Sequence, residues 1–286
     1  MINFSSTARP AQRNTANPGK FRPGLLSALL AACMPLCALA KDAEPPRSID
    51  VGSLPATVVD EVVIPMPTEV FGVLDKLGSP NWHEVMRPVK TETLGKRPQV
   101  ALLLGATIAE GFIAVEAQEP EDVKKIGRQV LSLSKAIGVQ KSVISRTSSI
   151  IEAADKKDWS TVRREFDGAL KDVKQAMIEL EDAQLAQLVS LGGWLRGTEA
   201  LTQVVTKSYS KDGAELLHQP AILDYFQRRL DGLNPRLKEN KAVRQIAQGL
   251  PELRPLIEPA GNITPQKVER IHAITADMVK TISSQD

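Results

Sequence analysis

Cysteine is almost missing from these 286 residues: the only two, Cys33 and Cys37, lie inside one apolar stretch near the N-terminus. Beyond that stretch the chain can have no disulfide framework, no thiol nucleophile and no cysteine-ligated metal. Histidine is nearly as scarce. His83, His218 and His272 stand far apart, with no i,i+4 pair and no HExxH pattern, so no dedicated zinc site is expected. Aromatic residues make up 4% of the chain, and 36 basic residues face 34 acidic ones. With that balance and with dispersed lysines and arginines, nucleic acid is not an expected partner. There is no G-x-S-x-G, and Ser190 of "VSLGG" falls in a helical pattern instead of on a strand-to-helix elbow. Gly192, Gly193 and Gly197 have no strand ahead of them that would make a phosphate loop. No cofactor is expected.

The leader is distinctive. Arg9, Arg13, Lys20 and Arg22 precede "GLLSALLAACMPLCALA", and no acidic residue comes before Asp42. A basic opening, a short apolar run and a small-residue exit at Ala38-Leu39-Ala40 have the layout of a bacterial secretory signal over residues 1–40. Pro35 would stop the helix of the apolar run and leave the chain extended for cleavage. Cleavage after Ala40 removes both cysteines and four basic residues, leaving 32 basic against 34 acidic, a net charge of about −2. Leu30-Ala31-Ala32-Cys33 also resembles a lipobox, in which Cys33 would be lipidated and anchor the protein to the envelope. The apolar run continues past Cys33, which favours cleavage after Ala40. The expected location is the periplasm or the secreted fraction, with the lipid anchor as the alternative. As a membrane anchor the segment is too short, since a span needs roughly 20 apolar residues.

Residues 41–67 contain Pro45, Pro46, Pro55, Pro65 and Pro67, a density that prevents helix and predicts an extended lead-in, with one short strand in "ATVVDEVVIP". Residues 68–286 read as a single helical domain. Thr68 caps "EVFGVLDKL", which Gly78 ends; Pro98 suits the first turn of a helix running to about Gln118; Pro120 opens the next, closed near Gly138. Further helices are expected from about Lys141 to Lys156, through "STVRREFDGALKDVKQAMIEL", and from Asp182 onward. Shorter ones follow at Ala214 to Leu217, Pro220 to Leu233, and Lys241 to Leu250, and the last opens at Thr264-Pro265. Val162, Phe166, Leu170, Val173 and Met177 recur at spacings of three and four, one buried stripe on an exposed helix. "IIEAADKKDWSTVRREFDGAL" has the texture of a tetratricopeptide-type helix hairpin, but its period does not recur. The expected fold is all-α, a multi-helix bundle or α-solenoid-like packing.

"VALLLGATIAEGFIAVEA", Val100 to Ala117, is apolar enough to raise the question of a membrane span. Glu110 at mid-length answers it, because a carboxylate at that depth costs about 2.5–3.5 kcal/mol on insertion scales. Glu110 instead lies on a stripe of mostly small residues, with Gly105 and Ala106 below it. The helix from Asp182 has a comparable face, where Gly192, Gly193 and Ala200 flank Arg196. The two small faces are expected to cross closely and bring Glu110 to Arg196 as a charged pair in an apolar seam. The competing arrangement sends Glu110 to solvent and leaves Arg196 to pair locally with Glu199 or snorkel.

For function, the chain offers no assembled catalytic motif. Glu110 alone in an apolar groove would suit a general acid of raised pKa, as in a helical peptidoglycan lyase or hydrolase. The chain lacks the Glu-Ser pair and glycine-rich signature of lytic transglycosylases. "GSPNWHEVMRP" places Trp82, His83 and Arg87 in a turn-rich connection, either an interaction loop or a lid with Trp82 packed down on the bundle. "NIT" at Asn262 carries no weight beyond capping by Thr264. The expected role is a non-catalytic binding or scaffold protein of the periplasm or cell envelope, with a protein or envelope partner.

Overall fold

The computed structural model describes residues 56–59, 62–65, 73, 80–88 and 95–284. The leader with Cys33, most of the proline-rich lead-in and the helix expected after Thr68 lie outside them, except that Val73 is helical and buried. The compact unit holding all these residues runs from Arg47 to Asp286. In place of one strand, "ATVVDEVVIP" forms two, β1 (Ala56–Val59) and β2 (Val62–Pro65), paired antiparallel with Val59 opposite Val62. Asp60 and Glu61 fall between them, and two polar residues between two β-branched runs are the spacing of a hairpin.

The rest is helical, as the proline and glycine punctuation predicts. After α1 (Trp82–Val85) come α2 (Arg97–Glu116), α3 (Pro120–Ala136), α4 (Ile144–Asp155), α5 (Trp159–Glu179) and α6 (Ala183–Lys207). Then follow α7 (Lys211–Glu215), α8 (Pro220–Asp231), α9 (Pro235–Lys238), α10 (Lys241–Ile257) and α11 (Pro265–Ile282). Helices α3, α8, α9 and α11 each start on a proline, where the missing N–H has no intrahelical partner to lose. Asp158, Ser210, Asn240 and Thr264 cap α5, α7, α10 and α11 through backbone N–H groups of the first turn.

Helix α10 is longer than the sequence predicts, running on through Pro251 and Pro255 to Ile257. Both prolines are exposed. Standing four apart on the solvent side, they free carbonyls that water can reach, while buried Ile246, Leu250, Leu253 and Ile257 hold the opposite face to the core.

Helix α2 is the centre of the bundle. It is long and apolar enough to cross a membrane, but 94% of its apolar window is buried by neighbouring helices. Helices α3, α5, α6 and α11 pack against it, α6 most extensively. Apolar residues on nearly every side of α2 are what such a position requires. Helix α5 buries Val162, Phe166, Ala169, Val173 and Met177 among α4, α6 and α2, and Phe166 rests against Phe112 of α2 with ring centroids 5.8 Å apart. Leu170 sits at the edge of that stripe.

Helices α2 and α6 run in the same direction. Arg97 pairs with Asp182 at their starts at 2.6 Å, and the backbones then approach until no side chain fits between them. A Cβ on Gly105 would lie 1.8 Å from the carbonyl oxygen of Val189, and one on Gly192 would lie 1.9 Å from that of Leu102. Gly193 faces Gly105 with more room, 3.4 Å from its carbonyl oxygen. Alanine at either tight position must push the helices apart. Gly105→Ala and Gly192→Ala are each expected to lower unfolding free energy by about 1–3 kcal/mol or more, with Gly193→Ala clearly milder, as read from urea denaturation.

Asp158 accepts from Thr161 N at 3.1 Å and from the Ser160 hydroxyl at 2.9 Å. Those donors, chiefly Thr161, lower its pKa from 3.8 to about 2. The capping contribution is complete above the ordinary carboxyl range and is lost as pH falls toward about 2. NMR titration should place the Asp158 carboxyl well below the other exposed aspartates, and Asp158→Ala should flatten the stability profile between pH 4 and that value.

Candidate functional site

One helical turn past Gly192 and five residues past Gly105, the α6 and α2 chains each present a charge. Arg196 Nε donates to Glu110 Oε2 at 2.6 Å, with Arg196 1% and Glu110 6% exposed. The local alternative is present in the same structure: Arg196 Nη1 also lies 3.4 Å from Glu199 Oε2. Arg196 Nη2 donates to the carbonyl of Val85 at 2.7 Å. The guanidinium therefore spans both carboxylates and the end of α1.

The segment after α1 closes the cluster. The backbone N–H of Arg87 donates to Glu110 Oε1 at 2.7 Å, and Arg87 Nε donates to Glu199 Oε1 at 2.9 Å, with Nη2 on the same oxygen. Two arginines and two glutamates from three chain segments thus form one buried or half-buried network. Gln203 Nε2 donates to Glu84 O at 2.7 Å, and Lys207 pairs with the Glu84 carboxylate, so α6 grips the α1 segment along two turns.

This overturns the exposed form of the interaction loop. Trp82 is 5% exposed and packs into the core beside Val85, because the segment is pinned down by Arg196, Gln203 and Lys207. Trp82 is the lid of the bundle and is not a free anchor. Of the three residues, only His83 stays mostly in solvent, 2.8 Å from Glu119. The other histidines serve as tertiary links: His218 Nδ1 lies 2.7 Å from Ile257 O, and His272 Nδ1 lies 3.1 Å from the Thr202 hydroxyl. Ala106 and Ala200 are buried at their helix contacts. Among the described residues no group of three or more His, Cys, Asp or Glu is placed to hold a metal ion.

Beside the charge cluster opens a cleft of about 270 Å³. Helix α2 supplies Leu103, Thr107 and Glu110 to its wall, α3 supplies Ile126 and Gln129, and the end of α11 supplies Val279, Lys280 and Ser284; Arg87 and Arg196 form the remaining side. Gln129 is 4% exposed, and its Nε2 has no hydrogen-bond partner among the described residues. A buried amide donor without an acceptor costs about 1–3 kcal/mol, so Gln129 stands out from the buried face of α3. Sequence reasoning passed over it, although a glutamine between Ile126, Val130 and Leu133 on an otherwise apolar stripe was a legible signal. Lys280 and Ser284 carried none, since α11 meets this wall only through the tertiary fold.

Comparison with protein-family models, with curated proteins and with solved structures finds no significant match to this chain. The cleft and its cluster are therefore read from their own chemistry.

Removing one member of a buried charge network leaves its partners desolvated and unmatched. Arg196→Met is expected to cost about 3–5 kcal/mol. Adding Glu110→Gln should recover part of that loss, with a coupling of about 0.5–3 kcal/mol in a double-mutant cycle measured by chemical denaturation. Additive losses would mean that the two side chains do not act as a unit.

Proposed function

We propose that this protein is exported to the bacterial periplasm or cell envelope and acts there by binding a partner, without turning over a substrate. The observation that carries this reading is the state of Glu110. It is the one carboxylate among the described residues lining the cleft, and each of its oxygens already accepts from a protein donor: Arg87 N at 2.7 Å and Arg196 Nε at 2.6 Å. A general acid must direct a proton at the substrate's leaving group, and both faces of this carboxyl are turned to the protein. The same geometry weighs against a peptidoglycan lyase or hydrolase built on Glu110.

The export half of the reading is supported by the basic, apolar and small-residue order of residues 1–40. With the leader removed at Ala40, no cysteine remains, and stability in an oxidising compartment rests on the packed helices alone.

Expression of the full sequence in a Gram-negative host, followed by fractionation and intact mass, is expected to give a soluble periplasmic species beginning at Lys41. A membrane-bound species beginning at lipidated Cys33 would replace free diffusion with anchoring. Incubated with purified peptidoglycan, the protein is expected to leave the muropeptide profile unchanged. Turnover that disappears in Glu110→Gln would overturn the non-catalytic reading.

A further inference from the structure

We infer that the cleft beside Arg87 takes a small organic anion: a single carboxylate on a short aliphatic body. This rests on the binding reading above and adds the chemistry of the ligand.

Charge comes first. Arg87 and Arg196 are matched by Glu110 and Glu199 through the hydrogen bonds of the cluster. Lys280, exposed on the last turn of α11, also lines the cleft and has no ion-pair partner among the described residues. Among the described residues, the walls and the groups behind them therefore carry one unmatched positive charge. A monoanion neutralises it, a cation is repelled, and a dianion brings a charge with no counterpart.

The second observation is the orphan donor. Gln129, which lines the cleft, carries on the α3 wall a buried Nε2 with no acceptor among the described residues. Turned toward the cleft by rotation of its amide, that donor gains from a ligand oxygen a hydrogen bond whose desolvation the fold has already undergone, which is the situation in which one polar contact adds most to affinity.

The third is the remaining surface. Leu103, Ala106, Ile126 and Val279 supply an apolar wall, and the space is about 270 Å³. About 150 Å³ suffices for benzene, so an aliphatic chain of about six to eight carbons fits with its head at the rim.

The test is isothermal titration calorimetry of the purified protein with octanoate, octanamide and octylammonium, which share a body and differ in head charge. Octanoate is expected to saturate at one per chain, with the neutral and cationic analogues weaker by about tenfold or more. Lys280→Gln, an exposed change that leaves the core untouched, should weaken octanoate about tenfold and bring it level with octanamide. Gln129→Leu should weaken octanoate and octanamide alike; Lys280→Gln should melt with the parent protein and Gln129→Leu at or above it. Equal binding of octanoate and octanamide, no saturable octanoate binding, or an unchanged Lys280→Gln affinity would each overturn the proposed ligand class. None of these outcomes touches export or the muropeptide profile, so the broader binding reading fails only by its own test.

Discussion

The contact on which this fold depends is the crossing of α2 and α6 at Gly105 and Gly192. Each glycine lies under 2 Å from a backbone oxygen of the other helix when a Cβ is placed on it, so no other residue type permits this separation. The backbone proximity has two effects. It buries α2 on nearly every side, leaving Leu103 alone half-buried between Pro98 and Val115, which demands an apolar surface nearly all round and gives it a composition close to that of a membrane span. It also sets the distance at which the next side chains up the seam must meet. Glu110 and Arg196 reach each other at 2.6 Å because the helices beneath them cannot separate.

The charge cluster above the crossing is better understood as a fixing device than as a source of stability. Desolvating an arginine and a carboxylate costs several kcal/mol per ion, and their attraction offsets this only with good geometry and with the remaining donors satisfied. Here Arg196 has acceptors on Nε, Nη1 and Nη2, and Glu110 has a donor on each oxygen. Such saturation is specific to one register of α2 on α6 and to one path of the Val85–Arg87 segment. An apolar seam alone would tolerate sliding, since small side chains present a nearly featureless surface. The cluster removes that freedom and ties a segment remote in sequence to the core.

What the sequence made legible follows the range of the forces involved. Helix starts and ends are set locally, by prolines and capping side chains, and α2 to α8, α10 and α11 each begin within a few residues of a readable signal. The short α1 and α9 escaped, as did the extension of α10 past two prolines, which became tolerable only when tertiary packing held the opposite face. The pairing of Glu110 with Arg196 could be anticipated because small residues marked both faces. The participation of Arg87 could not, since its partner Glu199 lies 112 residues away and nothing in the local pattern around Trp82 links the two. Likewise, the cleft gathers Gln129 and Lys280 from helices that meet only in the finished bundle.

The same cluster bears on how a site can exist in so ordinary a helical protein. A binding cleft needs walls that keep their shape when empty, because ordering them on association would reduce affinity. Arg87, the least buried member of the network, is held on Glu199 by two of its nitrogens, while its backbone N–H is held on Glu110. That wall is therefore rigid before any partner arrives. Gln129 is held by burial on α3, and Lys280 stands exposed in the last turn of α11. Two held walls and one exposed cation make an asymmetric cleft. The rigid walls govern the shape that enters, and the lysine governs its charge.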